Sequence, residues 1–593
     1  MAEKFDLQIK RELLDSSFNG YKLSLDSLPT YSLQLGNGVE KVDLTDSQYS
    51  YHHAKILGQH NHLALDPWNQ QTVYYIDKQW CINKVFIADM QLNQAESILQ
   101  IPDSTNQKLV PERVNLCLQF VSTEMAVVTD GAGKLHLINT GNREDRTTKW
   151  TIVYSHDVLD DSKPFSLTYT VYQREGETHS VECLCSYVLE TNEEQKDKYK
   201  TSFLTVLEWI SISSEDYKAW SLKRHRRLYG RKPFDYAAFD QSGDCIIVAA
   251  ESDVEFVYDS VKPVVASENV NVNASNTAPE SCPEYTWNQN EEDVNIQFTV
   301  PEGTKKSDIY MTLTHNMVNF GIKNGKVLLE GMLHGFVDVD GSTWIMEKQM
   351  IELTLCKQSG ESWQGVVIGD NRGEMTLDPA VVEEIHQRLA GLTSYEMNPD
   401  PEKTGNQPFN AQQLEECDAF PDDGFGLLRI DGNSHKITHK TNLGSHQWLF
   451  QSRLKTDQPP ALCLRHDVDG LMIQPQNTVK ESETPWHHTA TFNAFGYVQA
   501  SKQQRRFSVC APDCSYAAIC DCVRHIYIYR QPTAILSPLR NRKTGQEVGA
   551  VAKQQLVSLD AVNNIIGIQV TNDYIFVTTE NKLYCITANS AVV

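Results

Sequence analysis

Residues 285–300 read YTWNQNEEDVNIQFTV, and their alternation decides the fold of the stretch that organises the chain. Val294, Ile296, Phe298 and Val300 fall on one side, and Asn295, Gln297 and Thr299 on the other. This is the two-residue period of a half-buried strand. Similar runs follow at Ile309–Leu313, Val318–Ile322, Val327–Leu333, Trp344–Met346 and Ile351–Leu355. Gly303, Gly325, Gly331, Gly341 and Gly360 stand between or at the ends of these runs, where turns need them. The pattern predicts an antiparallel β-sandwich of roughly 90 residues. A helix is expected to close it over 378–392, with Asp378 as cap, Pro379 at the first position and Gly391 as the stop.

Several motifs of this stretch occur together and in order: Trp287 with Gln289, VNIQFTV-P, KKSDI, GKVLLEGML, STWIME, IELTL and a late Trp363. In these residues the stretch resembles the CS domain of the NudC family, a fold similar to small co-chaperones of the ninety-kilodalton heat-shock chaperone. The resemblance implies a non-enzymatic co-chaperone or adaptor, without a cofactor, that binds that chaperone and β-propeller clients. NudC-type domains often carry paired tryptophans near their end, whereas ESWQG holds Trp363 alone. Trp287 and Trp344 are expected in the core, and Trp363, between Gly360 and Gly365, is expected to reach a partner. Lys305, Lys306, Lys323 and Lys326 fall near turns and are expected to form a basic spot facing an acidic partner.

The chain of 593 residues has 77 acidic and 53 basic side chains, a formal net charge of −24. That excess repels phosphate backbones, so nucleic acid is not an expected partner. No apolar run approaches the roughly 20 residues of a membrane helix, so membrane insertion is not expected. The opening MAEKFDLQIKRELLDSS has charges throughout and does not read as a secretory signal. Fourteen cysteines are spread without a regular framework, which fits free thiols in the cytoplasm, with the nucleus as a further compartment.

On both sides of the central stretch one unit returns: a strand, a short turn rich in Asp, Gly or Asn, and a second strand. MAVVTDGAGKLHLI (125–138), CIIVAAESDVEFVY (245–258), ALCLRHDVDGLMIQ (461–474), AAICDCVRHIYIY (517–529) and YIFVTTENKLYCI (574–586) are the clear copies, with weaker ones at 72–87 and 169–188. The spacing and number predict a β-propeller of about seven blades. It is a divergent one, because the dipeptide Trp-Asp occurs nowhere. Two unrelated β-sandwiches are the alternative. The expected organisation is a propeller part over 1–266, a flexible linker over 267–284, the CS domain with its helix over 285–392, a second linker over 393–418 and the rest of the propeller over 419–593.

No GxxxxGK[ST], GxSxG or HExxH signature is present. DVDG at Asp338–Gly341 and Asp467–Gly470 lacks the Gly and Glu of a calcium loop, and both copies read as hairpin turns. Cys183–Cys185 and Cys520–Cys522 are too closely spaced for a usual zinc site and read as buried thiols. LKRHRRLYGRK (222–232) is the one dense basic run; Lys223, Arg224, Arg226 and Arg227 are candidates for a nuclear-import signal or for a patch that pairs with an acidic partner, against an exposed loop or strand whose charges offset neighbouring acids. A second functional reading makes the propeller a constitutive scaffold subunit of one cytosolic complex, with vesicle-coat and dynein-related assemblies as candidates. A third, a propeller hydrolase, requires carboxylates converging in the central channel.

Overall fold

A carboxylate placed at the end of a strand closes one tight turn after another in the computed structural model. Asp130 Oδ1 accepts the N–H groups of Ala132 (2.8 Å) and Lys134 (2.9 Å), and so joins Met125–Thr129 to Lys134–Asn139. Asp77 does the same for Gln79 and Cys81, and Asp521 for Val523, Arg524 and His525. A short acceptor side chain satisfies turn amides that no strand partner can reach, which is why Asp recurs in the repeated unit. The structure describes residues 3–264, 285–376 and 425–589 apart from short interior stretches, the longest being 104–109, 478–482 and 541–546. The helix expected over 378–392 and both expected linkers lie outside the described residues.

The chain divides into one unit of Met1–Val265 with Gly391–Val593 and a second of Ala266–Ala390. Among the described residues the first unit holds seven sheets, antiparallel apart from two short N-terminal strands. Their innermost strands, in ring order, are Ala64–Asp66, Cys117–Phe120, Ser166–Glu175, Phe234–Phe239, Gln447–Ser452, Arg505–Cys510 and Ile565–Val570. All seven line one central cavity of about 580 Å³. Apolar clusters join neighbouring sheets around the ring. Tyr74 and Ile82 of the first sheet pack with Ala126 and Ile138 of the second, and Ile526 of the sixth with Ile568 and Val577 of the seventh. Leu33, Phe576 and Leu583 then close the ring onto Val73 and Val85 of the first. This is a seven-bladed propeller, divergent in sequence.

Two features were not expected. Val254–Asp259 does not fold back on Cys245–Ala250; it crosses to the preceding blade and pairs with Ser221–Gly230. Cys245–Ala250 instead takes Gly426–Asp431 as its partner, so the fourth blade is completed only by chain that follows the insert. The second feature is an N-terminal strap. Glu3–Lys4 pairs in parallel with the outer strand Lys436–Asn442 of blade four, and Lys22–Leu23 with Glu547–Ser558 of blade six. Thr30–Gln34 then completes blade seven against Lys582–Thr587.

Among the described residues the inserted module is a sandwich of a five-stranded and a three-stranded sheet. The first has the order Val337–Glu347, Met350–Lys357, Asp293–Thr299, Tyr285–Gln289, Gly373–Met375, and the second Ile309–Leu313, Met317–Ile322, Val327–Met332. Trp287, Ile296, Phe298, Phe320, Leu329 and Leu353 meet between them, as the alternation requires. Asp338–Gly341 is no hairpin turn: it lies inside Val337–Glu347, where the register against Met350–Lys357 shifts between Asp338 and Thr343, a bulge. Asp467 does sit in a turn, at φ 51° between Ala461–His466 and Asp469–Pro475.

Candidate functional site

Four of the seven basic residues between 285 and 376 occur in two short turns of the module. Lys305 and Lys306 enter the strand Ile309–Leu313, and Lys323 and Lys326 flank the turn between Met317–Ile322 and Val327–Met332. The structure brings these turns together. The Lys323 amide donates to the Asp308 carbonyl (2.7 Å), and its Nζ to the Ser307 carbonyl (2.8 Å). Asp308, the one carboxylate within these turns, accepts the Lys305 N–H (3.0 Å). The four lysines are exposed, and Lys306 Nζ lies 5.3 Å from the ring centre of half-buried Trp344. An ammonium over an indole face, with further cations beside it, is a surface that favours a carboxylate-bearing partner with an apolar element.

Trp363 does not belong to this surface. It is 3% exposed and sits in the module core. Gln289 holds its backbone from both sides, with Oε1 accepting the Trp363 N–H (2.8 Å) and Nε2 donating to the Trp363 carbonyl (2.9 Å). The glycines nearby suggested an exposed tip, but the chain folds inward over the core. Trp287, 4% exposed, is buried as expected.

An apolar patch escaped the sequence reading. Met317 lies opposite Met332 in the three-stranded sheet, and the Ile368 N–H donates to the Met332 carbonyl (2.8 Å). All three side chains are at least half exposed, and Phe336 is 60% exposed. The methionines lie at the opposite end of that sheet from the lysine turns. Isolated exposed apolar residues are ordinary, and only their grouping, set by strand register, distinguishes this patch.

The basic run lies in Ser221–Gly230, and most of its charge is used inside its blade. Arg224 pairs with Asp259 (2.5 Å) and Arg227 with Glu208 (2.5 Å). Arg226 stacks 3.6 Å above Trp209 and donates to Ser211 Oγ (2.7 Å), with Glu182 3.4 Å away. Burial raises the Asp259 carboxyl, but Arg224, the Val261 N–H and His435 outweigh it and hold the group far below the usual carboxylate range. Lys223 remains exposed.

The propeller channel has a different character. Lys55, Arg453, Lys455 and Arg506 line it, while Asp235, the one carboxylate among the described residues lining it, is held by Lys55 at 2.5 Å. Carboxylates do not converge there. The helix Tyr51–Gln59, capped by the Ser50 hydroxyl, lies against one end, where Arg506 donates to the Gly58 carbonyl (2.9 Å).

Comparison with known proteins bears on both units. Residues 283–357 match the model of the CS domain. The whole chain is similar to NudC domain-containing protein 1 of Mus musculus, 38% identical and covering 99% of each chain. It is 36% identical to the Xenopus tropicalis protein of that name, covering 98% of each. The nuclear movement protein nudc of Schizosaccharomyces pombe is 30% identical over 18% of this chain and 66% of its own length.

Proposed function

The chain belongs to the NudC family, and from that premise we propose that it is a protein-binding co-chaperone-like adaptor that assists the folding or assembly of other proteins. Its partners, on this reading, are the ninety-kilodalton heat-shock chaperone and client proteins containing β-propellers. The observation that carries the reading is the pair of lysine turns: exposed cations gathered beside Trp344 in a chain of net charge −24. They suit an acidic partner surface and speed encounter with it. The client logic is physical. Propellers close through pairing of distant strands and leave edges unpaired until they do. The spread of the cysteines supports the cytosol as the place of action, with the nucleus second.

The test is charge reversal in the full-length protein. With Lys305, Lys306 and Lys323 replaced by Glu, recovery of chaperone and clients from cytosol should fall at least about tenfold. Recovery equal to that of the unsubstituted chain would contradict the assignment of the surface. The scaffold reading keeps one observation in its favour: Tyr49 and Tyr51 are 70% and 68% exposed at the channel helix of the propeller, and tyrosine is enriched at stable interfaces. One stoichiometric complex recovered through the propeller would support it.

A further inference from the structure

The helix Tyr51–Gln59 crosses one mouth of the propeller channel. His52 Nδ1 lies 2.8 Å from Thr205 Oγ1 of blade three, Gln59 donates to the Phe234 carbonyl of blade four (3.0 Å), and Arg506 of blade six donates to the Gly58 carbonyl (2.9 Å). Blades three and six stand as far apart as a ring of seven allows, so the helix closes the end at which Phe234–Phe239 and Arg505–Cys510 begin. The other end is framed differently. There Gln447–Ser452, the innermost strand of blade five, runs out into Arg453 and Lys455, which line the same cavity of about 580 Å³. Arg453 is half-buried, lies 5.6 Å from the Tyr169 ring centre, and makes its one hydrogen bond among the described residues to the Tyr169 hydroxyl (3.3 Å); Lys455 is exposed.

Several arginines of the blades are matched by a carboxylate, as Arg143 is by Asp66 (2.7 Å), Arg226 by Glu182 (3.4 Å) and Arg429 by Asp240 (2.7 Å). The channel breaks this pattern. Among the described residues no carboxylate lies within ion-pair distance of Arg453, Lys455 or Arg506, and Asp235 is already taken by Lys55. The cavity therefore carries net positive charge inside a chain of net charge −24, and its low-dielectric walls concentrate that field on whatever enters. We propose that the channel binds a small organic phosphate, which enters at the blade-five end and places its phosphates against Arg453 and Lys455. A guanidinium fork matches phosphate oxygens, and a ligand with two or more negative charges balances cations that no protein carboxylate offsets. Trp448 and Phe450, on the strand that leads to Arg453, line the wall beside it and receive the less polar body of the ligand. The volume falls within the roughly 300–1,000 Å³ of small-molecule sites. An acidic peptide is the less suitable occupant, because the helix across the far mouth bars an extended chain from threading through.

The experiment is titration calorimetry of the full-length protein with ADP and with inositol hexakisphosphate, and with a short poly-glutamate peptide for comparison. At least one of the two phosphates should bind one to one with a Kd below about 100 μM at low salt, and more weakly as screening rises. The double variant R453Q/K455Q should bind it at least about tenfold more weakly while keeping its thermal transition, since neither side chain is fully buried. K436Q, which removes an exposed lysine from the outer strand of blade four, should bind as the unsubstituted chain does. The proposal is overturned if neither phosphate binds below about 1 mM, or if R453Q/K455Q binds unchanged. It is overturned equally if K436Q weakens binding as much as the double variant, or if the peptide binds more tightly than both phosphates.

Discussion

Lys502 carries its amine into the packing of the propeller, 3% exposed, with Nζ 2.9 Å from Ser501 Oγ and 4.7 Å from the Tyr527 ring centre. Burial lowers it to about 7. The unfolded chain therefore binds the proton more tightly than the folded one between pH 7 and the usual lysine value, so stability rises with pH across that window and is lowest below it. K502M should raise stability by about 2–4 kcal/mol at pH 6, with the gain shrinking steadily above pH 7. Urea titrations at several pH values check both the sign and the slope. Gly331 is a second decisive residue. It reads as a turn glycine, yet it lies inside the strand Val327–Met332 at φ 139°, and a Cβ there would come within 2.6 Å of Val367 Cγ1. Alternation alone could not show this, because the constraint comes from residue 367, which is distant in sequence. G331A should cost about 2–4 kcal/mol in module stability, read from its thermal transition in the full chain.

At the scale of elements, the strand Ser221–Gly230 shows what a basic run becomes once its partners are in place. Glu182, Glu208 and Asp259 arrive from three other strands, so no reading of residues 222–232 by themselves could pair them. R226A would leave Glu182, which also accepts the Trp209 indole N–H (2.7 Å), without its cation, and the Trp209 ring without its stacked guanidinium. A loss of about 3–5 kcal/mol is expected in denaturant unfolding. Nuclear import through this run is therefore tested cleanly by K223A, which leaves the ion pairs intact; a signal that needs the run should lose nuclear protein. The N-terminal strap was equally hidden, because two-residue strands have no alternation to read. Tyr21 anchors it, donating to the Asn493 carbonyl (2.7 Å) and packing 4.9 Å from the Tyr529 ring. Y21F should cost about 1–2 kcal/mol, since it strands a buried acceptor while keeping the packing. By contrast, the hairpins at 125–138, 461–474, 517–529 and 574–586 were legible, since each is a local pairing closed by its own turn.

At the scale of the molecule, the propeller is one folding unit interrupted in its fourth blade. Cys245–Ala250 meets Gly426–Asp431 across the whole insert, and Thr30–Gln34 meets Lys582–Thr587 across nearly the whole chain. The blade number could be read from repeats, but this crossing could not: Glu251–Asp253 looks like a hairpin turn, and only the competing edge of blade three draws Val254–Asp259 away. Of the proposed binding surface, the lysines were legible from their turns, which the structure brings together. Trp363 was misplaced because its burial depends on Gln289, a contact formed across the fold. The account's central claim, that the inserted module is the protein-binding element of an adaptor, is tested most directly by quantitative pull-down from cytosol with the full-length protein and with a chain lacking 285–376. The account predicts that chaperone and several unrelated propeller proteins are recovered by the full chain and lost with the module. Undiminished recovery of one complete complex in fixed ratio by the shortened chain would contradict it.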